Sequence, residues 1–438
     1  MAFVQDAPKD SFRLSMLIYD TRYRSLTIQV VVLILFMLFL SWLLNNTIQN
    51  LAAKDRTFDF GFLLSRAGYD INQRLVDYTN DSTHARAAFI GLLNTLLSAV
   101  VGCVLATIIG VVVGVLRLSN NWIISRLMTV YVEMFRNVPV LLWILLAATI
   151  LSETTPSPRD FRVTPEMEAA DEAPKASMLF GIIAVTNRGT DIPEPKFCIG
   201  KPREECDADP NEGGLGTIDL GIFKVSLNLL ALLLVFGGSI FAARRLKQQA
   251  DATQDATGVR PVTWWKNLLI LVLPSAILLW ALGLHFVVPE LKGFNFTGGI
   301  TVLHSFTALT LALALYTAAF IAEIVRAGIM AISRGQSEAA SALGLRPART
   351  MRLVILPQAL RVIIPPLISQ YLNLTKNTSL AIAVSYMDLR GTLGGITLNQ
   401  TGKELECMLL MMGIYLTISL IISACMNIFN RAVRLKER

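Results

Sequence analysis

Between Glu338 and Pro357 the chain reads EAASALGLRPARTMRLVILP, a run that mixes one carboxylate with three guanidinium groups among small and aliphatic residues. Ser337 to Leu343 favours a short helix. Gly344 can take the left-handed conformation that ends such a helix, and Pro347 suits the first position of the next one. This predicts a helix, a bend and a second helix. In that elbow the small Ala339 and Ala340 would let another surface come close, and Arg346 and Arg349 would offer charge-assisted hydrogen bonds. Elsewhere, polar groups interrupt apolar runs. Arg136 and Asn137 lie in YVEMFRNVPVLLWILL, and Asn373, Lys376 and Asn377 lie in LNLTKNTSLA. A cation inside hydrocarbon is costly unless it faces a cavity or a partner. Arg136 is therefore read as an anion contact or as half of a structural ion pair with Glu133. Lys376 is read as a path residue or as a side chain snorkelling from a helix end.

Metal and redox chemistry find little support. The 3 His and 5 Cys have no zinc-like or redox spacing, and Cys103, Cys407 and Cys425 fall in or beside apolar stretches. No G-x-x-x-x-G-K-[ST] phosphate loop occurs, so the chain has no such device for binding a nucleotide.

The elements that must position these residues are membrane helices. The chain has 438 residues, is 53% hydrophobic and 16% charged, and has a mean hydropathy of +0.55, outside the usual soluble range. Its net charge of +7 lies mainly between apolar runs, as membrane topology asks, and does not point to nucleic acid. Eight stretches can cross a bilayer: 26–44, 91–116, 127–150, 222–243, 267–288, 301–325, 357–375 and 408–430, with Pro365 and Pro366 interrupting the seventh. The first reads as a retained anchor. Lys and Arg are denser in the segments that become cytoplasmic when the N-terminus is inside, so both termini and the Glu338–Pro357 run are expected there. The fold class is all-α, a polytopic helical membrane protein.

Segments 45–90 and 151–219 are then external. Between Glu153 and Asp219 the second carries 14 acidic and 7 basic residues, and it holds Cys198 and Cys206, for which a disulfide is expected on the oxidising side. The polar stretch 244–266 reads as a solvated connection. The predicted organisation is 1–90 for tail, anchor and external segment, 91–430 for the transmembrane domain with the insertion 151–219 and the loop 326–357, and 431–438 for a cytoplasmic tail.

The Glu338–Pro357 run resembles the EAA loop of ABC importer permeases, with Glu338, Ala339, Ala340, Gly344, Val354, Leu356 and Pro357 in the motif positions. Val354 stands where Ile is commoner. The flanks ALYTAAFIAEIVRAGIMAISRGQS and ILPQALRVIIPPLISQYLNLTKNTSLAIAVSYMDL, with the Tyr131–Leu146 patch, are similar to permeases for polar amino acids, over about residues 89–430. The length and the insertion most resemble the longer, Q-type subunit of general L-amino-acid importers.

The resemblance implies a type I permease core that translocates L-amino acids by alternating access across the bacterial inner membrane. ATP and Mg would sit on separate ATPase subunits, leaving this chain non-catalytic and without a cofactor of its own. A second, homologous permease chain, a periplasmic amino-acid-binding protein and membrane lipid are the implied partners. It assigns Glu338, Ala339, Ala340, Gly344, Leu345, Arg346 and Arg349 to ATPase coupling. Arg136, Asn137, Asn373, Lys376 and Asn377 are the candidates along a substrate path, because an amino acid needs a cation for its carboxylate and acceptors for its ammonium. The alternative is an ion-coupled secondary transporter of small polar solutes, which would need acids deep in the membrane.

Overall fold

A computed structural model describes residues 18, 20–53, 58–162, 174–199, 214–219 and 224–433. Cys206 is outside them, and with it the expected bridge to Cys198; Cys103, Cys407 and Cys425 are free thiols. Two compact units are present, 1–62 and 63–438. In the first, α1 (Thr21–Ala53) is one long apolar helix, and most of its described side chains are exposed.

The second unit is a helical assembly of α2 (His84–Leu116), α3 (Trp122–Asn137), α4 (Val140–Thr154), α5 (Leu227–Thr257), α6 (Trp264–Ala281), α7 (His304–Met330), α8 (Arg334–Ala342), α9 (Leu356–Asn377) and α10 (Glu404–Val433). Among the described residues, eight helical stretches are long and apolar enough to cross a membrane, the number expected. The centre is α7. Two thirds of its apolar window (67%) is buried, against none of that of α6.

Small residues bring α2 and α7 together. A Cβ on Gly110 would lie 2.7 Å from the Ile321 Cβ, and one on Gly114 would lie 2.8 Å from the Ala322 carbonyl oxygen. On the facing helix, Ala308, Ala312, Ala314, Ala318, Ala319 and Ala322 are buried. In lipid, helices gain little from apolarity alone, so close van der Waals approach is what holds such a pair.

Several expectations need correction. The stretch 127–150 is not a single helix: α3 ends at Asn137 and α4 begins at Val140. Pro139 has no N–H to continue the ladder, and it drives Val138 to φ −104°, ψ 134°. The stretch 244–266 is mostly helix, because Ala, Gln, Lys and Arg extend α5 to Thr257, where Gly258 at φ +73° closes it. Pro365 and Pro366 do not end α9, which runs through both. The fifth span stops at Ala281 rather than 288, since His285–Val287 is a strand.

Short strands between the helices were not expected: β1 (Ala184–Val185), β2 (Gly189–Ile192), β3 (Glu194–Lys196), β4 (Thr217–Asp219), β5 (Lys224–Ser226), β6 (His285–Val287), β7 (Glu290–Lys292), β8 (Asn295–Thr297) and β9 (Ile300–Leu303). All their pairings are antiparallel: β1 with β2, β2 with β9, β3 with β6, β4 with β5 and β7 with β8. The β2–β9 ladder ties the insertion to the chain entering α7. His304, the first residue of α7, is buried and hydrogen-bonded through Nε2 to the Thr186 carbonyl.

A polar clamp joins α2 and α10 to the segment that links α9 with α10. Asn94 donates to the carbonyls of Gln73 and Met387, both at 2.8 Å, and the Leu389 amide donates to Thr95 Oγ1 at 3.0 Å. Asp388 is fully buried and accepts from the Gly391 amide at 2.8 Å and from the Tyr415 hydroxyl at 3.3 Å. Burial pushes the Asp388 carboxyl up to about 6, outweighing these donors and the nearby Arg390.

Two outcomes follow. Native protein holds the Asp388 proton more tightly than unfolded chain does, so this contribution is complete below the ordinary carboxylate range and declines as pH rises through about 6. Thermal unfolding of Asp388→Asn should show a flatter dependence across that window than wild type. Gly110→Val should lower stability by about 1–3 kcal/mol through overpacking against Ile321, read as a reduced unfolding midpoint.

Candidate functional site

At the inner end of α7 the chain folds as its sequence requires. Helix α8 ends in a turn where Gly344 takes φ +74°. The Leu345 amide donates to the Ala340 carbonyl at 3.1 Å, and the Gly344 amide donates to the Ser341 carbonyl at 2.9 Å. These two bonds satisfy carbonyls that the helix end would otherwise leave open, and they set the direction in which the chain leaves. Pro347 then opens a helical turn to Thr350, and the π-helical turn Met351–Ile355 leads into α9.

This geometry sorts the residues expected to couple by their exposure. Ala340 and Thr350 are buried and Leu345 is half-buried, while Glu338, Ala339, Arg346 and Arg349 are exposed. Leu343, which the sequence reading passed over, is 81% exposed at the apex. Its signal was available: it immediately precedes the left-handed glycine, where the helix's last side chain is left uncovered. The elbow thus exposes one large apolar side chain, Leu343, together with the charged Glu338, Arg346 and Arg349.

Next to the elbow, Glu323 of α7 pairs with Arg326 at 2.6 Å and also holds Arg117 at the end of α2. Arg117 is 206 residues away in sequence, so no local pattern could reveal it. The pair ties the base of α2 to the helix that enters the elbow.

The α3–α4 break is the second arrangement. Tyr131 donates its hydroxyl to the Leu315 carbonyl at 2.7 Å, and Val132 and Phe135 pack with Val113, Ala319 and Ala322. Phe135 stacks on Trp143 of α4 at 4.2 Å between ring centroids. These contacts set the break level with the middle of α7. The Arg136 guanidinium lies over the Phe320 ring at 5.5 Å, and both Arg136 and Asn137 are exposed. Asn137 donates to Glu133 at 3.4 Å; among the described residues Glu133 and Arg136 form no ion pair. No side chain caps α4, so its first amides point from a helix N-terminus at mid-depth. A cation, an amide and an uncapped half-helix suit a carboxylate.

Asn373 and Lys376 are exposed and Asn377 is half-buried near the outer end of α9. No described contact joins them to Arg136. An apolar cleft of about 540 Å³ between α2, α9 and α10, lined by Cys103, Thr107, Tyr371 and Cys425 among others, includes none of the path candidates.

Residues 261–435 match the family described as "Binding-protein-dependent transport system inner membrane component". The chain is 64% identical over 440 residues to the glutamate/glutamine/aspartate/asparagine transport system permease protein BztB of Rhodobacter capsulatus, covering 100% of each. It is 42% identical to the general L-amino acid transport system permease protein AapQ of Rhizobium johnstonii, across 98% of this chain and 96% of that one. To the putative amino-acid ABC transporter permease protein YhdX of Escherichia coli it is 38% identical, across 95% of each. With the elbow, eight membrane-length helices and full-length likeness in hand, the chain belongs to the permeases of polar amino-acid ABC importers, in their long Q-type form.

Proposed function

We propose that this multi-pass permease passes acidic amino acids and their amides across a bacterial inner membrane, along a path that crosses the α3–α4 break. It would take its stroke from a separate ATPase through the Glu338–Arg349 elbow. The single observation that carries the coupling half is the glycine-terminated elbow, whose Leu343, Glu338, Arg346 and Arg349 are exposed while its base is buried. A knob so built fits a groove on a soluble partner and transmits that partner's movement to α7 and α9 together. The substrate half rests on Arg136, Asn137 and the uncapped start of α4. The choice of acidic amino acids and their amides follows the substrates in the name of the Rhodobacter relative.

In this reading the ATPase subunits hold ATP and Mg. A homologous second permease completes the pore, and a periplasmic binding protein delivers substrate to the external face that includes the insertion 151–219. Transport protein and membrane lipid, not nucleic acid, are the surroundings this chain is made for. The names of the relatives, all transport-system or ABC permease subunits, favour the ATP-driven reading over an ion-coupled carrier.

Glu338→Lys and Gly344→Pro each should leave ATP hydrolysis running in proteoliposomes while uptake of labelled glutamate falls to background. Proline cannot adopt the φ of +74° that Gly344 takes. Wild-type coupling in both variants would overturn the elbow reading. Arg136→Ala should reduce glutamate uptake at least about tenfold, the loss expected of one charge-assisted hydrogen bond, with the assembled complex unchanged on gel filtration. Undiminished uptake would remove Arg136 from the path.

A further inference from the structure

Helices α5 and α6 pack principally on each other, and β3–β6 pairing joins their external side to the rest of the unit. Neither helix is covered like α7. Among the described residues, 11% of the apolar window of α5 and none of that of α6 are buried. What steadies the cytoplasmic end of this hairpin is set by its length and charge.

The 18 residues of α6 span about 27 Å, close to the hydrocarbon thickness, so Trp264 marks the inner interface and Ala281 the outer. Counting the same length along α5 from Leu227 reaches Arg244. The return loop gives a second measure. Arg260 is bonded to Asp251 at 2.7 Å, which lays residues 258–263 back along α5. The four residues from Arg260 to Trp264 cover about 13 Å extended, equal to about nine residues of helix. That returns the chain to the level of Ala242–Arg244. Both measures place Arg244, Arg245, Lys247 and Lys266 in one ring with Trp264 and Trp265, at the depth of the headgroups.

All four cations and both tryptophans are exposed. Arg245 lies over the Phe241 ring at 5.1 Å, and Lys266 lies over Trp265 at 5.4 Å. These contacts hold the charges near the apolar boundary rather than letting them extend into water. The nearby acids do not cancel them. Asp251 is engaged by Arg260, and Asp255 lies a further turn into the cytoplasm. Four cations flanked by indole rings at the inner leaflet match the phosphodiesters of anionic lipid, each cation adding to the attraction.

We propose that the inner end of the α5–α6 hairpin is a binding site for anionic phospholipid of the inner leaflet, formed by Arg244, Arg245, Lys247 and Lys266 with Trp264 and Trp265. The lipid headgroups fix the tilt and depth of a hairpin whose external side alone is tied by strand pairing.

The test adds dioleoyl-phosphatidylglycerol or dioleoyl-phosphatidylcholine at equal concentration to the assembled transporter in detergent, and native mass spectrometry counts the retained lipids. Wild type should retain phosphatidylglycerol over phosphatidylcholine. Replacing Arg244, Arg245, Lys247 and Lys266 by Gln should erase the preference, at about fivefold per cation, and replacing both arginines by Lys should keep it. A second readout does not depend on the cation variants. In nanodiscs, the fluorescence removed by Trp264→Phe with Trp265→Phe should be quenched more by brominated phosphatidylglycerol than by brominated phosphatidylcholine. Equal retention of the two lipids by wild type, an unchanged preference in the Gln variant, or equal quenching would each overturn the proposal. So would loss of an ATPase subunit from the Gln variant with lipid preference intact, which would mark the ring as a protein contact.

Discussion

The close approach of α2 and α7 is the constraint on which the rest of the second unit depends. Hydrocarbon offers apolar side chains almost the same surroundings whether helices touch or part, so the pair is held by how near the backbones come. Gly110 and Gly114 remove the side chains that would keep them apart, and the alanine face of α7 fills the seam. With this pair fixed, other elements are placed by what they touch on it. Tyr131 and Phe135 seat α3 against the middle of α7, Asn94 and Thr95 hold the outer turn to α2, and Arg117 locks the inner ends through Glu323. The ion pair matters here because it stands beside the elbow: any shift of α7 relative to α2 must first rearrange a carboxylate shared by two guanidiniums.

Features with local causes were legible in the sequence. The elbow needs only a helix-forming run, a residue free to adopt positive φ and a proline, and Ser337–Leu343, Gly344 and Pro347 supply them within a dozen positions. The membrane helices followed from the length of apolar runs. The break at Val138–Pro139 was half legible. A proline in an apolar run frees a carbonyl, but whether it bends or divides the helix depends on neighbours able to cover the exposed backbone, and here α7 packs against both halves. Polarity misled at 244–257, where residues that favour water also favour helix, and α5 simply continues out of the membrane.

Features with remote causes could not be read. Strand β2 is four residues long and its partner β9 lies about 110 positions later, so neither segment carries a pattern that distinguishes it from a polar loop. Asp388 occupies a short linking segment whose composition says nothing of the Asn94, Thr95 and Tyr415 side chains gathered around it. The same holds for Arg117. In each case the determining contact joins segments that only the packed helices bring together, and a residue's role is then set by its partner rather than by its neighbours in the chain.

Strand β9 runs into α7 with no intervening turn, and His304, at the junction, is bonded back to Thr186 beside β2. The β2–β9 ladder and the elbow therefore stand at the two ends of α7. No loop separates the ladder from the helix, so the two are joined without a flexible linker. Among the described membrane-length helices, the one with the largest buried share of its apolar window is also the one that runs unbroken from the strand ladder to the chain entering the elbow.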